Sequence, residues 1–315
     1  MNKKWYLPAG VSMAVVLAGT WVYLRYRKDL RAAKERVAEG GQLLETTCGR
    51  IEYGVAGEGP PVLVIHGAGG GYDQGLLIGQ SISGQDYQLI APSRFGYLNS
   101  PIPEDSTLEA QADAYACLLD ALGIDRIIVV AFSAGGPSGL HFARRYPERT
   151  VSLIMVSAIS YIDPSSVEEK EREASINRTI GSDLIYWLGI TFARPFILEL
   201  LGVSRKVQAG LARTEMERVD QVLEAMLPMS QRLDGILLDQ TREMTKDFPL
   251  GLIEAPTLVI HARDDSLVSY SRGQHTAAGI TGAELMTLEN GGHFLAGHHG
   301  EIEARILSFL AEIGY

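Results

Sequence analysis

From about residue 46 onward, apolar positions form short runs that are separated by longer stretches with helical periodicity. The runs are rich in β-branched residues and end at turn-forming residues, which is typical of strands covered on both faces. Strands that alternate with helices in this way predict an α/β fold, in which a mostly parallel, doubly wound sheet carries helices on both faces. The predicted strands cover residues 61–67, 87–93, 126–132, 151–157, 256–262 and 283–289, after a hairpin over 46–57.

One segment interrupts the alternation of strands and helices. Between about Asp163 and Asp247 the periodicity is helical and no strand-like run occurs. We expect a helical cap at about 158–250 that covers one end of the sheet. Its stretch 184–202 is strongly apolar, which predicts packing of the cap against the core or an apolar pocket wall. The main domain is predicted to span 45–315.

The start of one helix can be predicted from a capping motif. Ser106 and Glu109 have the spacing of a capping box and predict a helix that runs to about Leu122. We therefore expect Ser106 to cap this helix.

The N-terminal region departs from the pattern of the main domain. Residues 5–24 contain no charged side chain and are numerous enough to cross the hydrocarbon core of a bilayer as a helix. Aromatic residues lie at both ends of this stretch, as at the two interfaces of a membrane. The pattern predicts a short tail over 1–4, a transmembrane helix over 5–24 and a basic helical stalk over 25–44.

The charges around this segment bear on its orientation. Two lysines precede it, and more basic residues follow it, namely Arg25, Arg27, Lys28, Arg31, Lys34 and Arg36. This distribution favours a single-pass membrane protein whose main domain faces the cytoplasm. A cleaved signal peptide is the alternative, with Val16 and Ala18 as the small residues before the cleavage site.

The composition of the chain argues against nucleic acid as a partner and against a metal cofactor. The 28 basic and 38 acidic residues give a net charge of −10, and the main domain has no basic patch with interleaved aromatic residues, which argues against binding to nucleic acid. Cys48 and Cys117 match no metal-ligand spacing, so we expect isolated thiols, with a single disulfide as the alternative. No metal or other cofactor is predicted, because His293 and the neighbouring His298 and His299 lack a further ligand at a familiar spacing.

The stretch "VVAFSAGGPSG" (129–139) places Ser133 between a predicted strand and a predicted helix. A serine at such a sharp turn projects its hydroxyl clear of the sheet, and strand and helix approach so closely that only small residues fit beside it. Ala131, Gly135 and Gly136 are these small neighbours. The first amides of the helix favour negative charge that develops nearby. Ser133 is therefore a candidate nucleophile.

The Ala-Phe-Ser-Ala-Gly pentapeptide around this serine resembles the nucleophile elbow of the α/β-hydrolase superfamily, whose usual form is Gly-x-Ser-x-Gly. The resemblance extends over nearly all of the chain after the stalk. It implies a triad in the order serine, acid, histidine. "ENGGHFLAG" supplies His293 after the last strand, and "VIHARDDSLVS" supplies Asp265 as the acid. Asp264 is the first alternative for the acid, and Asp163 is a more distant one.

The same resemblance implies an oxyanion hole made of two backbone N–H groups. One is expected from Ala134, directly after the nucleophile. The other is expected from "HGAGGG" (66–71), with Ala68 as the donor and Gly69 as the alternative. His66 is expected to be structural because it ends a strand.

These expectations together predict a membrane-anchored serine hydrolase that cleaves a carboxylic ester or related acyl bond of a small, apolar substrate. Ser133 attacks, His293 transfers the proton, and Asp265 orients the histidine. A ligand receptor or scaffold with slow turnover is the alternative outside the enzymes. Among enzymes, the alternatives are a C–C bond hydrolase, an aminopeptidase and a perhydrolase.

Overall fold

The computed structural model describes residues 9–83, 86–161, 178–179, 181–242 and 244–315. The chain forms an eight-stranded sheet whose strands are β1 (Gln42–Thr46), β2 (Gly49–Ala56), β3 (Pro61–Ile65), β4 (Gln88–Pro92), β5 (Ile127–Phe132), β6 (Thr150–Val156), β7 (Thr257–Ala262) and β8 (Glu284–Leu288). Their order is β1-β2-β4-β3-β5-β6-β7-β8. Strand β2 pairs antiparallel with β1 and β4, and all other neighbours are parallel. The predicted α/β fold with a mostly parallel sheet is confirmed.

Helices cover both faces of this sheet. The helices outside the cap are α1 (Ala9–Gly40), α2 (Tyr72–Ser83), α3 (Leu108–Ala121), α4 (Gly136–Arg145), α10 (Tyr270–Gly279) and α11 (His299–Glu312). Successive side chains of β3 point to opposite faces, so Leu63 and Ile65 enter the core beneath α3 and α4, and Val62 and Val64 enter the core beneath α2 and α11. This double coverage explains why the strands are apolar without alternation.

Between β6 and β7, the described residues form helices and no strand. These cap helices are α5 (Asp183–Phe192), α6 (Arg194–Leu200), α7 (Arg205–Gly210), α8 (Arg213–Ala225) and α9 (Leu233–Thr241). They have their own buried cluster, which contains Trp187, Leu198 and Leu223. Much of the apolar stretch 184–202 is therefore cap core, although several of its large side chains are exposed.

The N-terminal cap of α3 differs by one residue from the expectation. Thr107 caps the helix, because its hydroxyl accepts a hydrogen bond from the N–H of Ala110. The carbonyl of Ser106 instead accepts hydrogen bonds from the guanidinium of Arg242, a contact with the cap that no local pattern indicates.

The expected transmembrane helix over 5–24 is not supported. Residues 1–8 lie outside the described part of the chain, and within the described part no helix is long and apolar enough to cross a membrane. Within the described residues, the uncharged stretch of α1 runs from Ala9 to Leu24, which is shorter than the about 20 residues that cross a bilayer as a helix, and Arg25 and further basic residues follow it.

The second half of α1, where we expected a stalk, packs against the cap. Ala33 and Val37 are buried. The ring of Tyr26 contacts that of Trp187, whose indole N–H donates to Asp29 at 2.9 Å. The phenol of Tyr72 donates to the carbonyl of Val37 at 2.7 Å. The basic segment is therefore an integral part of the domain.

The expectation of two isolated thiols is wrong, because Cys48 and Cys117 form a disulfide. Cys48 lies in the turn between β1 and β2, and Cys117 lies on α3. The two residues are 69 positions apart in sequence, but α3 packs over the hairpin and brings their Cα atoms to 6.0 Å. Sequence separation therefore gave no indication of the pairing, whereas the tertiary packing allows it.

Two buried ion pairs join the cap to the core. The guanidinium of Arg232, which is fully buried, binds both carboxylate oxygens of Asp73 at 3.0 and 2.7 Å. Arg94 binds both oxygens of Asp239 at 2.6 and 2.8 Å. Because each arginine uses two parallel hydrogen bonds, the pairs fix orientation as well as distance. They hold the cap in register above the carboxyl ends of the strands.

Removal of one partner from such a pair leaves a buried charge without compensation. We predict that Asp73→Ala lowers the free energy of unfolding by about 3–5 kcal/mol. Chemical denaturation followed by circular dichroism measures this change. The matched control is Glu45→Ala, whose partner Arg50 is 55% exposed, and here the expected loss is at most about 1 kcal/mol. Equal losses in the two variants would contradict the role assigned to the buried pair.

Candidate active site

Ser133 lies in a strained backbone turn at the end of β5. Its φ is 51°, in the left-handed region that non-glycine residues rarely adopt, and the chain passes directly into the helical turn Ser133–Gly135 and then into α4. A Cβ atom at Gly135 would lie 2.6 Å from the carbonyl oxygen of Ile65, and one at Gly136 would lie 2.1 Å from that of Ile159. The small residues around the serine are thus required by the close approach of neighbouring backbone.

Ser133, His293 and Asp265 form a continuous chain of hydrogen bonds. The Nε2 atom of His293 lies 2.8 Å from the Oγ atom of Ser133, and its Nδ1 atom lies 2.9 Å from Oδ2 of Asp265. All three residues are buried. With the proton of the neutral imidazole on Nδ1 and donated to Asp265, Nε2 is the acceptor that faces the serine hydroxyl. The structure therefore brings together the three residues that the sequence selected.

The carboxylate of Asp265 is held in its charged form. Burial raises its pKa, but hydrogen bonds from His261, His293 and the N–H of Val268 outweigh burial and hold the pKa below the usual range of a carboxyl group. The N–H groups of Leu267 and Val268 both donate to Oδ1 at 2.9 Å. Asp265 therefore remains ionised at neutral pH and stabilises the imidazolium that forms when His293 takes a proton.

His261 is a residue of the site that was not predicted from the sequence. This histidine is fully buried within β7, and its Nε2 atom lies 3.3 Å from Oδ2 of Asp265 and 2.8 Å from the carbonyl oxygen of Val268. It sits four residues before Asp265 in a run of apolar residues. A buried histidine in a strand that precedes the candidate acid is the one sequence signal that pointed to it.

Asp264, the first alternative acid, faces a different group. Its Oδ1 atom accepts the N–H of Gly292 at 2.8 Å, directly before His293. The carbonyl of Gly202, from the cap, accepts the N–H of His293 at 3.3 Å. The loop that carries the histidine is thus held from the core side by Asp264 and from the cap side by Gly202. Asp163, the more distant alternative, lies outside the described residues.

The glycine-rich loop "HGAGGG" lies beside the serine, since a Cβ atom at Gly67 would be 3.0 Å from that of Ser133. Several amides of this loop are already engaged. The N–H of Gly67 donates to Gln74 at 3.1 Å, and that of Gly70 donates to the carbonyl of Gly67 at 3.3 Å. Within the described part of the chain, no hydrogen bond engages the N–H of Ala68. The Ala68 amide is therefore available as the second oxyanion donor, and Gly69 stays the alternative.

Ala134 supplies the other predicted donor. It follows the nucleophile in the first helical turn, where backbone N–H groups have no intrahelical acceptor. The carbonyl of Ser133 accepts the N–H of Ile159 at 2.9 Å, which fixes the peptide that carries the Ala134 amide. The two donors that the sequence proposed therefore lie on the two segments that meet at the serine.

His66 has a structural environment. It is fully buried, Nδ1 donates to the carbonyl of Gly67 at 2.7 Å, and Nε2 accepts the N–H of Arg94 at 3.0 Å. Burial, followed by the nearby Arg94 charge, lowers its pKa well below the ordinary value for histidine, so the ring is neutral. The ring holds the start of the glycine-rich loop in place.

The cap forms a roof over this loop. The methyl group of Met226, at the end of α8, would be 2.5 Å from a Cβ atom at Gly69, and Nη1 of Arg232 would be 2.8 Å from one at Gly71. The Tyr186 hydroxyl donates to the Met226 sulfur at 3.2 Å and so fixes the roof side chain. The absence of side chains at these glycines thus leaves room for the cap side chains.

Metal ligands are not assembled near the triad. Among the residues that the structure describes, no group of three His, Cys, Asp or Glu side chains is placed to hold a metal ion. His298, which lies near the triad histidine in sequence, is bonded to Asn290 and Glu301. Nucleophilic catalysis by the serine needs no metal ion.

A family model described as "alpha/beta hydrolase fold" matches residues 60–298. The chain belongs to the α/β-hydrolase fold family. The matched residues include β3 to β8, the elbow and the cap, and the assignment agrees with the resemblance on which the triad was selected.

Individual relatives of this α/β-hydrolase carry several names. The chain is 32% identical to "Uncharacterized hydrolase YcgS" of Bacillus subtilis over 275 residues, which cover 83% of this chain and 95% of that protein. It is 27% identical to "2-hydroxy-6-oxo-6-phenylhexa-2,4-dienoate hydrolase" of Burkholderia cepacia over 83% of this chain and 91% of that protein. Among solved structures, an "Alpha/beta hydrolase fold protein" from Nakamurella multipartita matches with a TM-score of 0.70 and 28% identity, over 87% of this chain and all of that one.

The two neighbouring aspartates provide a direct test of the geometry. We predict that Asp265→Asn lowers kcat by about four orders of magnitude, because the amide stabilises the wrong tautomer of His293. Asp264→Asn keeps an oxygen that accepts the N–H of Gly292, so its kcat is expected to stay within about tenfold of the wild-type value. Steady-state turnover of an activated ester measures both. A larger loss in Asp264→Asn than in Asp265→Asn would assign the acid to Asp264.

Proposed function

We propose that this protein is a serine hydrolase that cleaves a carboxylic ester or a related acyl bond through an acyl-enzyme. The observation that supports the proposal most strongly is the hydrogen-bonded chain from Ser133 through His293 to the ionised Asp265. A serine hydroxyl becomes a competent nucleophile only when a positioned base takes its proton. Here the base is in hydrogen-bond contact and a buried carboxylate orients it.

The proposed reaction has two halves. In the first, Oγ of Ser133 forms a bond to the acyl carbon while its proton passes to Nε2 of His293. The carbonyl π pair moves onto oxygen, and the amides of Ala68 and Ala134 stabilise this oxyanion. The intermediate collapses, the bond to the alcohol breaks, and His293 returns the proton to the leaving oxygen. In the second half, water repeats these steps and releases the acid from Ser133.

The substrate class follows from the surroundings of the serine. Phe132 precedes it, the ring of Phe132 lies 5.2 Å from that of His293, and Phe294 stacks on Phe132 with centroids 6.2 Å apart. Met226 covers the opposite loop from the cap. These groups are apolar and Ser133 is buried, which supports a small, apolar acyl substrate bound beneath the cap.

A second candidate reaction is hydrolysis of a carbon–carbon bond. Several relatives at 26–29% identity are named as hydrolases of 2-hydroxy-6-oxo dienoates, and others are named putative carbamate hydrolases. Both reactions use attack on a carbonyl carbon, so the triad by itself does not separate them. The two reactions differ in the leaving group. An ester hydrolase protonates an alcohol oxygen, whereas a C–C hydrolase must protonate a carbon atom.

Pre-steady-state turnover of p-nitrophenyl esters from acetate to decanoate tests the proposed function. We predict a burst of p-nitrophenol equal to the enzyme concentration, followed by slower steady-state release, because the acyl-enzyme accumulates. Ser133→Ala is expected to lose the burst and to retain at most about one part in 10⁴ of the steady-state rate. Circular dichroism of the variant controls for folding.

Other outcomes of this experiment would reject the proposal. Equal turnover by wild type and Ser133→Ala would remove the serine from the mechanism. No turnover of any ester, combined with cleavage of a 2-hydroxy-6-oxo dienoate, would favour the C–C hydrolase. Ligand binding without turnover of either class would favour the receptor.

Membrane attachment and the side on which the domain lies stay predictions. The charge pattern after residue 24 favours the cytoplasmic side. The disulfide between Cys48 and Cys117, in contrast, is of a kind typical of oxidising compartments. The large apolar side chains of α1 between Met13 and Leu24 are exposed, which supports attachment to a membrane.

The cysteine pair provides a test of the cytoplasmic location. If the domain is cytoplasmic, both thiols are expected to be reduced in the cell and to react with a maleimide added at denaturation. Mass spectrometry of the labelled chain counts the reacted thiols. A chain that takes up the maleimide only after treatment with a reductant would contradict the cytoplasmic prediction and place the domain in an oxidising compartment.

A further inference from the structure

The cap carries an apolar surface that the domain leaves uncovered. Large side chains on α5 and α6 are between 37% and 56% exposed. We call this set the cap surface, and its members are Leu184, Ile185, Leu188, Phe192, Phe196 and Leu200. On α5 these residues lie on the face opposite the buried Trp187 and Ile190. A contiguous exposed apolar set of this kind marks an interaction site.

This surface adjoins the exposed apolar half of α1. Trp187 contacts Tyr26 of α1 on one side, with ring centroids 5.5 Å apart, and Phe192 of the cap surface on the other, at 5.8 Å. Val22 also packs against the buried cluster of the cap. The cap therefore meets α1 at the level where its exposed apolar residues, from Met13 to Leu24, come to an end. Through Trp187, Phe192 links the cap surface to the end of the exposed apolar part of α1.

Positive charge is concentrated at the same level. Basic side chains that are exposed on α1 follow directly after Leu24, namely Arg25, Arg27, Lys28, Arg31 and Lys34. The acidic residues of this part of the helix are Asp29, which bonds Trp187 and lies 3.7 Å from Arg25, and the exposed Glu35. The net charge of this segment is therefore positive, although the chain as a whole has a net charge of −10. This segment is therefore where the protein would attract an anionic surface.

Aromatic and basic groups are paired between the apolar and charged regions. The guanidinium of Arg25 lies over the ring of Trp21, and that of Arg27 lies over the ring of Tyr23. From the interior of a bilayer to its headgroups, a membrane-bound helix presents apolar residues first, then aromatic rings and then basic side chains. Residues Met13 to Lys34 follow this order. A protein partner would not require this order, whereas a lipid surface does.

We propose that the cap surface and the N-terminal half of α1 bind the same lipid bilayer, and that the basic segment binds its anionic headgroups. The proposal concerns the cap and does not depend on the proposed reaction. Binding of the cap to a bilayer would also concern the active site. Helix α6 ends at Leu200, and the carbonyl of Gly202, two residues later, accepts the N–H of His293. A bilayer against the cap would thus lie above the loop that carries the histidine.

Fluorescence quenching by brominated lipid tests the position of the cap. In the full chain, Phe192→Trp introduces a fluorophore on the cap surface. Leu252→Trp introduces one at a position that is 59% exposed, in the turn Leu250–Leu252, which within the described part of the chain packs against α4 and α10 and not against α5 or α6. Vesicles contain brominated phosphatidylcholine and phosphatidylglycerol. We expect the emission added by Phe192→Trp to fall by about half or more, and the emission added by Leu252→Trp to stay unchanged. Equal quenching in the two variants would overturn the placement of the cap surface.

Charge neutralisation tests the anionic part of the proposal. The variant with Arg27→Gln and Lys28→Gln is expected to bind vesicles that contain phosphatidylglycerol about 25-fold more weakly, or roughly fivefold for each basic residue. Arg50→Gln, on the β1–β2 hairpin, is the matched control and is expected to change binding less than about twofold. Equal affinity of the wild type for vesicles with and without phosphatidylglycerol would overturn the role of the basic segment. All readouts are binding, so a failure of the proposed hydrolase reaction would not affect them.

Discussion

The site depends on one backbone constraint, the turn at Ser133. A positive φ at a residue with a side chain is unfavourable by about 1–3 kcal/mol and persists only where the surrounding structure enforces it. Here β5 and α4 enforce it by packing against neighbouring backbone so closely that Gly135 and Gly136 admit no Cβ atom. The result is a hydroxyl directed away from the sheet and towards His293, beside the amide of Ala134. Nucleophile and oxyanion donor are therefore both consequences of the same turn.

The second requirement is that the histidine loop stays in register with this turn. Asp265 bonds the imidazole, Asp264 holds the peptide before it, and Gly202 holds its backbone from the cap. The cap is in turn fixed to the core by the pairs Arg232–Asp73 and Arg94–Asp239. Because the cap touches both the histidine loop and the glycine-rich loop, a displacement of the cap would disturb both sides of the site. The ion pairs thus contribute to the geometry of a reaction in which they take no part.

Most of the sheet could be predicted from local patterns, and the triad could be predicted from the resemblance of the segment around Ser133 to a known nucleophile elbow. Apolar runs located β3 to β8 to within two residues at each end, as for β7, predicted at 256–262 and observed at Thr257–Ala262. The hairpin, predicted from residue 46, begins earlier, at Gln42. Small residues around Ser133 indicated the elbow. What local patterns missed depends on contacts between distant segments. The disulfide requires α3 to lie over a hairpin, and the contact between His261 and Asp265 requires β7 to pack against the loop that follows it. The contact between Arg242 and the Ser106 carbonyl likewise joins the cap to a segment that is distant in sequence.

The central claim is that Ser133 is a nucleophile activated by His293. Reaction with a fluorophosphonate, followed by mass spectrometry of the digested protein, tests this most directly, because the reagent forms a stable bond only with an activated hydroxyl. The account predicts one adduct, on Ser133, that forms at least about a hundredfold more slowly in His293→Ala. An adduct on a different residue, no adduct at all, or an unchanged rate in His293→Ala would contradict it.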